Sequence, residues 1–356
     1  MAAVGMDNKT SELRVWALLG PHRGDNNQVL ALAEVLGLPF EEKWLRYNQL
    51  RRLQPALLGA TLRSVATDAR AQLEGAPPDL TISTGHRSVP VVRALRERSG
   101  GKMRAVHLGY PRISPAHFDL VVPTPEYPVP DAPNVVRIPF ALSPHRARNI
   151  DEADRRLLAA YPRPHRLLLI GGSTLSWELH VDDIVKAIDQ LVAAAKANGG
   201  SLIAVGSPRS PVELLTAARE KLESSSVPFL FVPNDGPPAY PALIESADEI
   251  YVTADSVAMV ADAVDTGKPV GIVPIAKSRL GRAVIALNDR IRPGKRLYPR
   301  DLRFFWESLR EHDFGGTIDA PRASDPPDFT AEIATRVRRL LKPPPERARV
   351  GRDSAR

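Results

Sequence analysis

The stretch TADSVAMVADAVDTGKPV, residues 253–270, decides how the rest of the chain is read. A polar turn, Thr253 to Ser256, gives way to an apolar helix-like run that ends at Gly267, and Lys268-Pro269 leads into a buried strand. With the strand-like DEIYVTA (248–254) before it, this is one strand–turn–helix–strand unit, the repeating element of a parallel α/β sheet. Ser256 stands where a helix N-cap belongs, and the free N–H groups and dipole of that helix favour a dianionic phosphate. Asp262, six residues on, is an acid able to accept hydrogen bonds from both hydroxyls of a ribose. Together with Thr253 and Asp255 the unit offers a diphosphate cradle and a sugar clamp, although spacing alone also allows a capped helix with a surface aspartate.

Outward from this unit the same alternation recurs. Toward the N-terminus, strands are expected at 14–20, 79–85, 103–109 and 118–124, with helices at 26–37 and 88–100. A proline-laden stretch from about 125 to 165 opposes both helix and central strand. The alternation restarts with strands at 165–172, 201–207, 227–233, 248–254 and 269–275, separated by helices at 180–200, 211–224, 241–247 and 256–267. Continuous apolar strands between helices mean parallel sheets covered on both faces. The expected organisation is a leader (1–12), a first Rossmann-like domain (13–145), a linker (146–164), a second Rossmann-like domain (165–315), a C-terminal segment with a helix (316–341) and a basic tail (342–356).

Composition bounds the function. The 356 residues fit two domains at roughly 100–200 residues each. Cysteine is absent, which removes disulfides, thiolate catalysis and cysteine metal sites. No segment approaches the roughly 18 apolar residues of a membrane span, and the N-terminus lacks the apolar core of a signal peptide. A cytoplasmic protein is the expectation. The net charge is +7, but eight basic and two acidic residues fall from Arg336 onward, in a Pro/Arg-rich tail that cannot bury a core. That placement argues against a nucleic-acid partner; weak peripheral attraction to an anionic inner-membrane surface is the lesser reading of the tail.

Ligands of open parallel sheets bind beyond the carboxyl ends of the strands, so four other turns matter. In GPHRGDNNQ (20–28), Gly20 and Gly24 allow a tight turn; Asp25 either caps the helix, with Gln28 completing a capping box, or serves with His22 as a general base facing the cleft. In STGHRS (83–88), Ser88 caps a helix, or Arg87 and the helix N-terminus bind an acceptor anion. Gly171, Gly172 and Ser173 of IGGSTLSW (170–177) form a turn whose exposed N–H groups suit a phosphate. Ser207 and Arg209 of GSPRS (206–210) stand at a strand end, where arginine can pair with a diphosphate or stay solvated. There is no P-loop, no D-x-D, no H-E-x-x-H and no G-x-S-x-G, so metal and serine-nucleophile sites are not expected.

In the order they occur, GPHRGDNNQVLALAEVLG, STGHRSVPVVRALRERSGG, FDLVVPTPEY, LLLIGGS and TADSVAMVADAVDTGKPV resemble the mitochondrial fission ELM (elongated-mitochondria) family over roughly residues 13 to 300. The alanine, arginine and proline richness looks like a bacterial member. That family in turn resembles GT-B glycosyltransferases, two Rossmann-like domains facing across a cleft. The resemblance implies a nucleotide sugar as co-substrate with no further cofactor, donor phosphates near Gly172, Ser173, Ser207, Asp255 and Ser256, and ribose at Asp262, where many relatives carry Glu. It implies a catalytic base at the Gly24-Asp25 turn and a nucleobase pocket near NDGPPAY (234–240). The expected function is metal-independent glycosyl transfer to an envelope or lipid-linked acceptor; the alternative is a non-catalytic adaptor acting through a protein partner. A nucleotide-sugar epimerase is disfavoured by the absence of G-x-x-G-x-x-G and Tyr-x-x-x-Lys motifs.

Overall fold

The computed structural model describes residues 13–143, 150–234 and 236–342. The expected leader, nearly all of the basic tail and Asp235 lie outside the described residues.

The first half contains β1 (Val15–Leu19), α1 (Arg23–Leu36), β2 (Phe40–Trp44), the single-turn helices α2 (Pro55–Leu58) and α3 (Thr67–Arg70), β3 (Leu80–Thr84), α4 (Val89–Arg98), β4 (Arg104–Leu108) and β5 (Leu120–Val122). The strands form one parallel sheet in the order β2-β1-β3-β4-β5. The VWALL residues of β1 are buried throughout, as a strand covered on both faces requires. Chain order reverses at β1, so the crevice between β1 and β3 is the switch point at which such sheets bind ligands.

The second half contains α5 (Glu152–Ala159), β6 (His165–Leu169), β7 (Trp177–Glu178), α6 (Val181–Asn198), β8 (Ser201–Val205), α7 (Val212–Glu223), β9 (Phe229–Val232), α8 (Tyr240–Ser246), β10 (Glu249–Thr253), α9 (Val257–Val264), β11 (Val270–Val273), β12 (Ala276–Lys277), α10 (Arg279–Ile291), α11 (Leu302–Glu311), β13 (Gly316–Thr317) and α12 (Phe329–Leu341). Six of the strands make a parallel sheet in the order β13-β11-β10-β6-β8-β9; β7 and β12 pair separately as a short antiparallel ribbon. Read from β9, the sheet takes its strands third, second, first, fourth, fifth, sixth, the doubly wound order whose switch point lies between β6 and β10.

Three features differ from expectation. The polar strand FEEKW (β2) has no apolar run to announce it, because it is a sheet edge with all five residues exposed or half-buried. Helix α1 begins at Arg23, inside the glycine turn, because the Asn26 side chain closes that turn, accepting from Gly20 N and donating to Gly20 O, both at 2.8 Å. The C-terminal helix α12 returns to the first domain: Ile333, Ala334 and Val337 are buried in one cluster with Val29, Leu32 and Leu36 of α1. Each fully buried Ile or Val there contributes ~1.5–3 kcal/mol. The chain therefore crosses between domains twice, and Phe329, at the second crossing, packs on the cores of both. No helix among the described residues is long and apolar enough to cross a membrane.

Candidate functional site

At the first switch point a cavity of about 270 Å³ is lined by residues of both domains, among them His22, Asp25, Arg87, Tyr110 and Arg300. Asp25 is the third residue of α1, not its cap; His22 holds the cap position without a side-chain cap bond, and Gln28 reaches only Gly24 O, at 3.5 Å. The expected capping box is not formed, and the Asp25 carboxylate turns to the cavity instead. A Cβ added at Gly85, a glycine at φ +68° in the turn after β3, would lie 3.7 Å from Asp25 Oδ2, so the turns after β1 and β3 meet at this acid. Burial raises the Asp25 carboxyl above its ordinary range, opposed by His22, Arg300 and Arg87. Burial also pushes His86 down to about 4, helped by Arg112 and Arg87, so that imidazole is neutral at pH 7. Tyr127 is pushed up to about 12, mainly by burial. The cavity is an acid held among arginines and phenols.

Ser88, expected to cap α4, does not: its hydroxyl lies 2.9 Å from both Thr84 O and Gly85 O. The Nε atoms of Arg87 and Arg300 are buried without a hydrogen-bond partner among the described residues.

The second switch point brings together the turns after β6, β8 and β10, as their sequences anticipate, but with a different centre. Asp255 is fully buried. Its Oδ2 accepts from Gly172 N at 3.0 Å and from Arg209 Nη2 at 2.9 Å, and its Oδ1 accepts from Thr253 Oγ1 at 2.7 Å. Thr253 Oγ1 in turn accepts from Gly171 N at 2.8 Å. The Gly171 and Gly172 amides, expected to be exposed to a phosphate, are thus spent on this internal carboxylate network, and Arg209 pairs with Asp255. A Cβ at Gly171 would fall 2.2 Å from Asp255 Oδ1, and one at Gly172 2.2 Å from Arg209 O, so both glycines are needed for the close approach. Ser207 turns to its own loop, its hydroxyl 3.0 Å from Ser210 Oγ, and Ser173 Oγ accepts from Leu179 N at 3.1 Å.

Ser256 caps α9 by position but makes no side-chain cap bond, so the first-turn amides of that helix take no hydrogen bond from it. The start of α1 lies close by, since a Cβ at Gly24 would be 3.2 Å from Ala258 Cβ. Two helix N-termini, each a positive dipole end, therefore converge across the cleft.

Asp262 lines a second cavity, of about 240 Å³, with Asn27, Ser143, Tyr240 and Lys268. Its Oδ1 accepts from Ser143 Oγ at 2.8 Å and its Oδ2 from Tyr240 OH at 3.2 Å. The carboxylate does receive two hydroxyls, as a ribose clamp requires, but here they come from the chain itself. Tyr240 is the last residue of NDGPPAY, so the segment expected to hold a base and the acid expected to hold a ribose are in contact.

Sequence reasoning passed over Arg300. Its Nε lies 3.5 Å from Oε1 of the buried Glu126, and both Asp255 and Asp25, one from each domain, act on its charge. It stands six residues past the Pro293-Gly294 turn that follows α10, outside any strand–turn–helix unit, so only the fold could reveal it. Ser143, Tyr110 and Tyr127 were also missed, although Tyr110 directly follows the turn glycine Gly109 after β4 and Tyr127 closes the FDLVVPTPEY motif.

The profile of the Mitochondrial fission ELM1 family matches residues 23–341. Mitochondrial fission protein ELM1 of Arabidopsis thaliana is 25% identical over 319 residues, spanning 80% of this chain and 69% of that protein. Among solved structures, a Listeria monocytogenes protein assigned as a UDP-N-acetylglucosamine 2-epimerase superposes with a TM-score of 0.52 at 12% identity, covering 93% of this chain and 97% of the other. The UDP-GlcNAc 2-epimerase of Methanocaldococcus jannaschii gives 0.50 at 11% identity, covering 92% and 100%. At such identities the likeness is one of fold, the two-domain GT-B architecture. Two proteins named as epimerases have the present fold, so the missing dinucleotide-binding glycine motif, which disfavoured an epimerase above, does not by itself separate the two activities. By the extent of the profile match, the chain belongs to the mitochondrial fission ELM1 family.

Proposed function

We propose that the protein is a metal-independent glycosyltransferase of GT-B type that uses a nucleotide-diphosphate sugar, with the acceptor in the Asp25 cavity. One observation carries the reading: a Cβ at Gly24, in the first turn of α1, would lie 3.2 Å from Ala258 Cβ in the first turn of α9, so the two switch points adjoin across the domain boundary. The nucleoside would lie along α9, its ribose replacing the Ser143 or Tyr240 hydroxyl at Asp262. The diphosphate would meet the N-terminus of α9 at Ser256, with Arg300 and Arg209 as its cations. Gly171, Gly172, Thr253 and Asp255 would hold the turns in place, Ser173 and Ser207 tying down their loops. The acceptor hydroxyl gives its proton to Asp25 while its oxygen bonds to the anomeric carbon. The bond from that carbon to the diphosphate breaks, and the nucleoside diphosphate leaves with the electron pair. Arg87 and Arg112 line the acceptor side, favouring an acceptor that itself carries phosphate or carboxylate, as an envelope or lipid-linked precursor does.

A thermal-shift screen of nucleotide sugars tests this, with UDP-sugars first because two proteins of this fold act on UDP-N-acetylglucosamine by name. A ligand at 100 times its Kd raises stability by roughly 2.7 kcal/mol. Asp262→Ala and Ser256→Ala should abolish that rise. A chain that responds to no nucleotide sugar but retains a protein partner on pull-down is the adaptor, and the transferase reading then fails.

A further inference from the structure

We propose that one face of the protein, formed by α10, the loop after it and the 46–63 segment of the first domain, docks on an anionic lipid surface. On α10, Gly281 and Ile285 face the core, and Gly281 is pressed so tightly on Ser176 that a Cβ would fall 2.0 Å from its carbonyl oxygen. Leu280, Leu287 and Ile291 do not face the core; they are 52%, 58% and 65% exposed. At 3.6 residues per turn these three lie within about 40° of one another on the helix and roughly 120–160° from Ile285. They form an apolar ridge of about 16 Å that nothing among the described residues covers. Arg279 and Arg290 flank the ridge on one side, roughly 80–100° from Leu280.

The ridge continues into the first domain. Asn288 of α10 donates to Lys295 O at 2.8 Å, fixing the following loop, and Tyr298 OH at the end of that loop reaches Gln54 Oε1 at 3.5 Å. Gln54 sits among the exposed Leu50, Leu53 and Leu57, the last 77% exposed, with Arg51 and Arg52 beside them. Tyr298 also packs edge-on against Tyr110, at 6.1 Å, and Tyr110 and Arg112 line the Asp25 cavity. The face therefore adjoins the mouth of the acceptor cavity.

Its charge is one-sided. Segments 46–63 and 276–300 hold twelve basic residues and one acidic residue. That acid, Asp289, is bound by Arg303 at 2.7 and 3.0 Å. Arg296 and Arg300 turn inward, to Pro125 O and to the cavity, and Arg46 pairs with Asp68; Arg51 and Arg52 adjoin Leu50 and Leu53 in the chain, and Arg279 and Arg290 adjoin Leu280 and Ile291. The small net charge of the sequence before Arg336 thus conceals a concentrated basic face. A nucleic acid would use the arginines but not the aliphatic ridge; a bilayer surface uses both, leucines in the acyl boundary and arginines on the headgroups. The inference extends the lipid-linked acceptor of the proposed function, but its test needs no turnover, so the two can fail separately.

The test is co-sedimentation of the full chain with vesicles of phosphatidylcholine alone or with phosphatidylglycerol added. The unaltered protein should bind the anionic vesicles and not the neutral ones. Leu287→Gln/Ile291→Gln and Arg279→Glu/Arg290→Glu should each lower binding at least about tenfold, with unchanged melting because all four residues are exposed. The proposal is overturned if the unaltered chain ignores anionic vesicles. It is equally overturned if both double variants bind like the parent, which would assign the attraction to the arginine-rich segment after residue 342. Binding of duplex DNA that depends on the arginines but not the leucines, without vesicle binding, would make the face a nucleic-acid site and also refute it.

Discussion

Replacing Asp255 by alanine should unlock the second switch point. The carboxylate is fully buried and accepts three hydrogen bonds, from Gly172 N, Arg209 Nη2 and Thr253 Oγ1. Alanine leaves these donors without their acceptor in a site that water does not reach. Each unsatisfied buried donor costs ~1–3 kcal/mol, and removing one partner of a buried ion pair costs ~3–5 kcal/mol in all. Arg209 is half-exposed and can turn to solvent, which puts the expected loss toward the lower end, ~3–4 kcal/mol. At ~2–4 °C per kcal/mol for a domain of this size, the second domain should melt about 10 °C lower. Asp255→Asn is the informative partner. Its carbonyl can serve Gly172 and Arg209 while its amide donates to Thr253 Oγ1, so what is lost is the charge and the acceptor of the Thr253 hydroxyl proton, at a cost of ~1–2 kcal/mol. Calorimetry of the parent and the two variants measures this. If Asp255→Ala melts within about 3 °C of the parent, or if Asn is as damaging as Ala, the account of Asp255 as the tie between three turns is wrong.

Other outcomes follow from the same geometry. Gly172→Ala puts a Cβ 2.2 Å from Arg209 O and should destabilise by ~1–3 kcal/mol, whereas Gly20→Ala, with nothing within 4 Å, should stay within ~0.5 kcal/mol on thermal melting. For activity, Asp25→Asn should stop turnover while leaving nucleotide binding intact. Because burial raises the Asp25 carboxyl, the acid limb of kcat/KM should lie above the ordinary aspartate value of about 3.9. Arg300 opposes that rise, so Arg300→Gln should move the limb to higher pH still; a shift to lower pH would contradict the assignment. His107 is fully buried, Ser83 Oγ lies 3.0 Å from its Nδ1, and burial pushes it down to about 3. Its native pKa is depressed, so the unfolded chain takes up the proton first. Stability is fully present above about pH 6.5 and should fall by ~1.4 kcal/mol per pH unit from there toward pH 3, a slope that denaturant titrations of His107→Gln should lack.

The sheets were legible because buried parallel strands must be written as continuous apolar runs, and VWALL, LLL and EIYVT are written so. The ligand-side turns were legible for a related reason: a strand that must reverse into a helix needs glycine and small polar residues, and those are visible at 20–25, 83–88, 171–173 and 253–256. Long-range placement was not legible. Nothing in FTAEIATRVRRLL says that this helix buries Ile333 and Val337 on α1 rather than on the domain before it; an amphipathic pattern fixes the face, not the partner. Arg300 was invisible because its meaning comes from Asp25 and Asp255, both far away in the chain. The exposed ridge of α10 escaped because periodicity does not separate leucines that meet a core from leucines that meet solvent.

Asp255 is the instructive case, because the sequence places it correctly and still misreads its surroundings. An acid beside a helix N-terminus and two glycine amides reads as part of a phosphate site, yet the carboxylate takes the Gly172 amide itself and the Gly171 amide goes to Thr253, its hydrogen-bonded neighbour. The fold distributes the same arrangement twice: Asp25 lies in the first turn of α1, Asp255 just before α9, and Arg300 answers to both. Without ligand, each helix N-terminus thus already has an internal anion nearby. On the proposed reading, a diphosphate adds negative charge beside Asp255, and the positive ends of two helices, Arg209 and Arg300 must offset it. Binding should therefore weaken steeply when Arg300 is neutralised and strengthen when Asp255 becomes asparagine, two opposite shifts in Kd from two buried-side charges. If Asp255→Asn instead weakens nucleotide-sugar binding while preserving the fold, the carboxylate is itself part of the donor contact, and the cradle must be drawn around it rather than beside it.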